Sequence, residues 1–141
     1  MIRLTSSQVK KIRAHLELAY PNEGCGLLIG TRKSNGDTTV TRIVPAPNQR
    51  TTDATNRFEV DPKLQFELMR ELEGGDEMIV GHFHSHPDGQ AHPSQRDEKM
   101  ALDKTMIWLI ASVWAGAMKD LNAYEVVEEG KSLKPTDLVF Q

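Results

Sequence analysis

Apolar residues along this 141-residue chain change their spacing several times, and each change marks an element. Ile2 and Leu4 alternate with polar neighbours, which predicts a short extended start. Val9, Ile12, Leu16, Ala19 and Tyr20 then recur at helical spacing, with Lys10, Lys11 and Arg13 on the wet side. Ser6 or Ser7 is the expected cap of that helix, and Pro21-Asn22 its stop. Cys25 to Thr31 is an apolar run bounded by glycines. Ser34-Asn35-Gly36-Asp37 is a hairpin turn leading into a strand at Thr38–Val44. Pro45 to Asn56 is polar and carries prolines, so a loop is expected, followed by a short strand at Phe58–Val60. Asp61-Pro62 predicts a capped helix through Leu64, Leu68, Met69 and Leu72, ending at Gly74-Gly75. Met78 to His86 is extended and largely apolar until Pro87-Asp88-Gly89 breaks it. A third helix starts near Ser94 and runs to about Asp103. Ile107–Val113 and Leu121–Val127 complete the strands.

Strands and helices interleave, so the expected fold is an α/β sandwich around one sheet. The hairpin makes that sheet mixed and not purely parallel. No repeat, low-complexity tract or Pro/Gly-rich linker divides the chain, and its length suits a single domain over residues 1–141.

Composition then narrows the function classes. Lys plus Arg number 17 against 20 Asp plus Glu, a formal charge of -3, so a nucleic-acid partner held by bulk positive charge is not expected. One cysteine excludes an intrachain disulfide and any zinc site needing two thiolates. The start, Met1-Ile2-Arg3-Leu4-Thr5, has no apolar signal core, which points to a cytoplasmic protein. The longest apolar run, Met106 to Met118, falls short of the roughly 18 residues of a membrane span, so no membrane partner is expected. The Ile107–Trp114 part of it reads as core and not as interface.

Four of the five histidines lie between positions 82 and 92. In Gly81-His82-Phe83-His84-Ser85-His86-Pro87, strand alternation projects His84 and His86 from one face, roughly 6–7 Å apart along the chain. Two imidazoles at that separation can bind one ion, and Pro87 leaves them at a strand end. Asp97, eleven positions after His86, can return a carboxylate from the first turn of the next helix. Two His and one Asp leave a fourth position open, the catalytic arrangement for zinc. His82 shares the same face and His92 could approach from the loop, so spacing alone admits both as ligands. Ser94-x-x-Asp97 is also an ordinary capping box, which competes with the metal for the Asp97 side chain.

The spacing His84-Ser85-His86-Pro87, six residues, then Ser94-x-x-Asp97, with Glu23 upstream, resembles the JAMM motif of the MPN-plus metalloproteases. Pro21-x-Glu23-x-Cys25-Gly26-Leu27-Leu28 is similar to the short prokaryotic members. The resemblance implies a mixed sheet flanked by helices, the cytidine-deaminase-like JAMM/MPN fold, with one zinc ion on His84, His86 and Asp97. It implies Glu23 as general base and then acid, and Ser94 as the donor that stabilises the oxyanion. His82 stands where the family usually has an aromatic or aliphatic residue, so no ligand role carries over to it; His92 remains unassigned. The implied activity is hydrolysis after the Gly-Gly tail of a ubiquitin-like or sulfur-carrier protein; the loop Pro45–Asn56, carrying Arg50 and with Arg57 at its end, is a candidate clamp for that tail. Deaminase chemistry is disfavoured, because it needs paired cysteines. A non-catalytic scaffold is the rival reading, though such relatives lose motif residues and none is lost here. A two-His-one-carboxylate iron site would space its ligands in the opposite order.

Overall fold

The computed structural model describes residues 1–141. The sheet is single and mixed, as expected, and has eight strands: β1 (Ile2–Leu4), β2 (Cys25–Arg32), β3 (Thr38–Ala46), β4 (Met78–Pro87), β5 (Ile107–Trp114), β6 (Ala117–Glu128), β7 (Ser132–Thr136) and β8 (Leu138–Phe140). Their order across the sheet is β7-β6-β5-β4-β2-β3-β1-β8. The pairs β4–β5, β1–β3 and β1–β8 are parallel, and the rest antiparallel. The helices are α1 (Ser6–Ala19), α2 (Pro62–Leu72) and α3 (Gln95–Met100).

Both faces of the sheet are covered. On one, Ile12 and Leu16 of α1 pack with Leu28, Phe83, Leu109, Ala111 and Val113. On the other, Leu68 of α2 packs with Cys25, Leu27, Ile29, Ala46 and Val60. β5 is buried at every position but its last, which bears out the core reading of that run. None of the helices is long and apolar enough to cross a membrane.

A bulge decides which face carries the histidines. Leu28 pairs with Gly81 but Ile29 pairs with Ile79, leaving Val80 as the extra residue. Such an insertion inverts the alternation beyond it. Val80 therefore joins the α1 side with Phe83, and His82, His84 and His86 point to the α2 side. Gly81, beside the bulge, allows β4 and β5 to close up: a Cβ there would lie 2.2 Å from the Ile107 carbonyl oxygen.

Several local expectations are corrected. The cap of α1 is Thr5, not Ser6 or Ser7: Thr5 Oγ1 accepts from the Gln8 N–H at 3.1 Å and Gln8 Oε1 from the Thr5 N–H at 2.9 Å. Only Thr5 has a glutamine three residues on to close that box. β3 runs two residues past Val44, through Pro45. Its missing N–H costs no ladder bond to β1, which pairs β3 only at Thr38 and Thr39. Phe58–Val60 is not a strand; the Asn48 side chain and Gln49 N–H take its backbone bonds instead. α3 stops at Met100, three residues short of the expected end. The edge strands β7 and β8 are additional to the expected elements.

Candidate metal centre

The end of β4 places three groups around one point. His84 is fully buried, and its Nε2 lies 3.3 Å from His86 Nε2. Asp97 returns from the first turn of α3, with Oδ1 3.2 Å from His84 Nε2 and Oδ2 3.0 Å from His86 Nε2. The loop that makes the return is tied to β6, where Tyr124 Oη and Asn122 Nδ2 both donate to the Ala91 carbonyl. Phe58 stacks on the His84 ring at 4.3 Å and Trp108 meets it edge-on at 5.6 Å, so the cluster has an aromatic wall.

The competition anticipated for the Asp97 side chain is resolved by its two oxygens. Oδ2 accepts the Ser94 N–H at 2.9 Å, and the Ser94 Oγ accepts the Asp97 N–H at 3.0 Å, a complete capping box. The same carboxylate still faces both imidazoles. With about four lone-pair sites it can do both.

Glu23 arrives from the α1–β2 turn and is 6% exposed. Its carboxylate, His84 and His86 offer ligand atoms all within 4.8 Å of one another. The polar loop holds it in place: the Glu23 N–H donates to the Ala54 carbonyl, and Asn48 Nδ2 donates to the Glu23 and Arg57 carbonyls. Asn48 is thus a positioning residue that sequence reasoning missed, since nothing in a proline-bearing polar loop singles out one asparagine. Arg50 and Arg57 do line the cavity of about 250 Å³ beside Glu23 and Asp97, together with Arg96. Arg50 is held by Asp53 through two 2.8 Å bonds.

Electrostatics separates the members. Burial raises the Glu23 carboxyl to about 8, with Asp97 adding to the rise while His86 and Arg96 oppose it. Burial also lowers His82 to about 3 and lowers His84. For His86 burial works downward too, yet its bonds to Asp97 and the Gln90 carbonyl leave it raised. Asp97 is likewise disfavoured by burial, but the bonds from His84 and His86 hold it well below the usual carboxylate range. Cys25 is buried with its thiol pushed up to about 12 by desolvation, which makes it a packing residue and not a nucleophile.

The donor set fits a cation. His86 Nδ1 faces the Gln90 carbonyl at 2.8 Å and must donate to it, so in the neutral ring Nε2 presents a lone pair to Asp97. A lone pair and a carboxylate 3.0 Å apart, with a second carboxylate nearby, attract a positive species between them. Nitrogen and oxygen donors of this kind suit zinc. The remaining histidines stand apart. His92 is exposed and outside the cluster, and His82 packs on Trp108 at 4.2 Å between ring centroids.

Comparison with known proteins agrees with this architecture. The family described as prokaryotic homologs of the JAB domain matches residues 5–127, and the chain belongs to it. It is 28% identical over 133 residues to the CysO-cysteine peptidase of Mycobacterium tuberculosis, covering 94% of this chain and 88% of that one. A probable TtuB-protein conjugate cleaving protease from Thermus thermophilus is 36% identical over 93 residues, covering 66% and 58% of the two chains. Among solved structures, a protein from Desulfitobacterium hafniense superposes with a TM-score of 0.84 at 30% identity, over 100% of this chain and 93% of that one.

Proposed function

We propose that this chain is a zinc-dependent peptidase of the JAMM type, formed by residues 1–141 as one domain and acting in the cytoplasm. Its substrate is an amide bond after the C-terminal Gly-Gly tail of a ubiquitin-like or sulfur-carrier protein. The observation that carries the reading is the convergence of both Nε2 atoms and both Asp97 oxygens, with Glu23 beside them. His84, His86 and Asp97 would hold the ion. Glu23 reaches the same group of atoms, but Asp97 touches both imidazoles directly, which favours it as the third ligand and leaves Glu23 for proton transfer. The substrate class follows the relatives, one a peptidase for CysO-cysteine and one a probable protease that cleaves TtuB–protein conjugates.

When bound, zinc lowers the pKa of water toward about 7 and polarises a carbonyl oxygen. The chain supplies the rest. The Glu23 carboxylate takes a proton from the attacking water and returns it to the leaving amine nitrogen. Burial strengthens the hold of the Glu23 carboxylate on a proton, which suits it to take one from water. Ser94 Oγ accepts from the Asp97 N–H and keeps its own hydrogen for the developing oxyanion. Phe58 and Trp108 keep water from the imidazoles.

The test is cleavage. A carrier protein extended by a short peptide beyond its Gly-Gly end, incubated with the zinc-loaded enzyme, is expected to be cut after the second glycine by mass spectrometry. Chelation by phenanthroline is expected to stop the reaction. Stable binding of the extended carrier without any cleavage would instead mark a scaffold.

A further inference from the structure

His82 is the one β4 histidine that the proposed chemistry leaves without a task. It sits on β4 two residues before His84, on the same face, against Trp108 at 4.2 Å and Phe58 at 5.6 Å. Its Nδ1 is enclosed and has no hydrogen-bond partner. A phenylalanine would pack against the same two rings without leaving a buried polar atom unpaired. The nitrogen is therefore a cost that packing does not explain.

Its position does. A groove of about 640 Å³, lined by Met69, Met78, Met100, Leu102 and Met106, runs beside α2 toward the metal centre. The cavity of about 250 Å³ that holds Glu23 and Asp97 shares five residues with it: Gln65, His82, Met100, Met106 and Trp108. His82 stands at the junction. With Nδ1 enclosed, Nε2 is the ring nitrogen left to face the two spaces. An enclosed N–H without an acceptor is the rarer kind of orphan, so the proton of the neutral ring belongs on Nε2.

We infer that His82 is a substrate-recognition residue, its Nε2–H donating to a main-chain carbonyl of the tail where the methionine-lined groove opens into the metal cavity. This deepens the peptidase reading and rests on it. A donor at this point reads the backbone and needs no side chain on the substrate, which matches a glycine tail.

Two variants and two readouts test it. His82→Phe keeps the aromatic volume and loses the donor; His82→Gln keeps an N–H of similar reach. For cleavage of the extended carrier, His82→Phe is expected to raise KM roughly three- to tenfold, the range of a single neutral hydrogen bond, with kcat changed less than about twofold. His82→Gln is expected to recover most of that loss, and both variants to keep their zinc. Binding is read separately, by fluorescence anisotropy of a labelled tail peptide ending in Gly-Gly on the cleavage-deficient Glu23→Gln background. Weaker binding with His82→Phe, restored by His82→Gln, supports recognition even if no cleavage is found, an outcome that would remove only the peptidase reading. Equal KM and equal binding for wild type and His82→Phe would overturn the assignment. So would a glutamine variant as poor as phenylalanine, or a peptide that does not bind at all.

Discussion

The chain builds the same local motif twice and uses it in two different ways. Thr5 and Gln8 close a capping box at the start of α1, and Ser94 and Asp97 close one at the start of α3. The backbone bonds are alike, between 2.9 and 3.1 Å in both. At α1 the box is exposed, and the spare donor of Gln8 goes to the Val40 carbonyl. That helix stands on its own apolar face. At α3 the box opens a helix of only six residues, and its acid is 5% exposed and faces two imidazoles. The second box therefore orients a carboxylate more than it supports a helix. A capping motif can offer a carboxylate to a site beyond its helix when its N3 residue is charged and buried against other polar groups, as Asp97 is.

Substitutions at the two boxes break this contrast in graded steps. The largest effect is expected from Asp97→Ala, which removes the carboxylate from the centre. Zinc retained on purification is expected to fall from about one per chain to background by atomic absorption. Asp97→Asn sharpens the point, because an amide oxygen still accepts the Ser94 N–H: helix α3 is kept and the zinc is still lost. Next comes Ser94→Ala, expected to keep zinc yet slow turnover by roughly 10²–10³, the cost of one oxyanion donor. A Ser94→Ala enzyme with unchanged kcat would confine Ser94 to capping. The smallest effect is Thr5→Ala, about 1 kcal/mol of stability by denaturant unfolding, with zinc content and turnover untouched.

Much of this was legible from the residues. The period of apolar positions located α1, α2 and the central strands because each buries a face of its own sequence. The convergence of His84, His86 and Asp97 is legible in their spacing because strand alternation and a helix start both translate directly into direction. The α1 cap is written in the sequence too, since Thr5 has Gln8 three residues on while Ser6 and Ser7 have Val9 and Lys10. Other features depend on partners remote in sequence. The bulge at Val80 exists only in the pairing with β2, so the face taken by the histidines could not be read from β4 alone. β8 is three residues whose pairing with β1 joins Leu138 to Ile2. Phe58–Val60 has strand-like composition, but the Asn48 side chain claims its backbone. Asn48 itself acts through the Glu23 carbonyl, and no local pattern announces that.

The central claim is a division of labour between two buried carboxylates, Asp97 holding the ion and Glu23 moving the proton. The zinc content of purified Glu23→Gln, measured beside its turnover of the extended carrier, tests it most directly. The predicted result is about one zinc per chain with hydrolysis abolished. Loss of the zinc in that variant would make Glu23 a ligand, and undiminished turnover would remove it from the chemistry; either result contradicts the account.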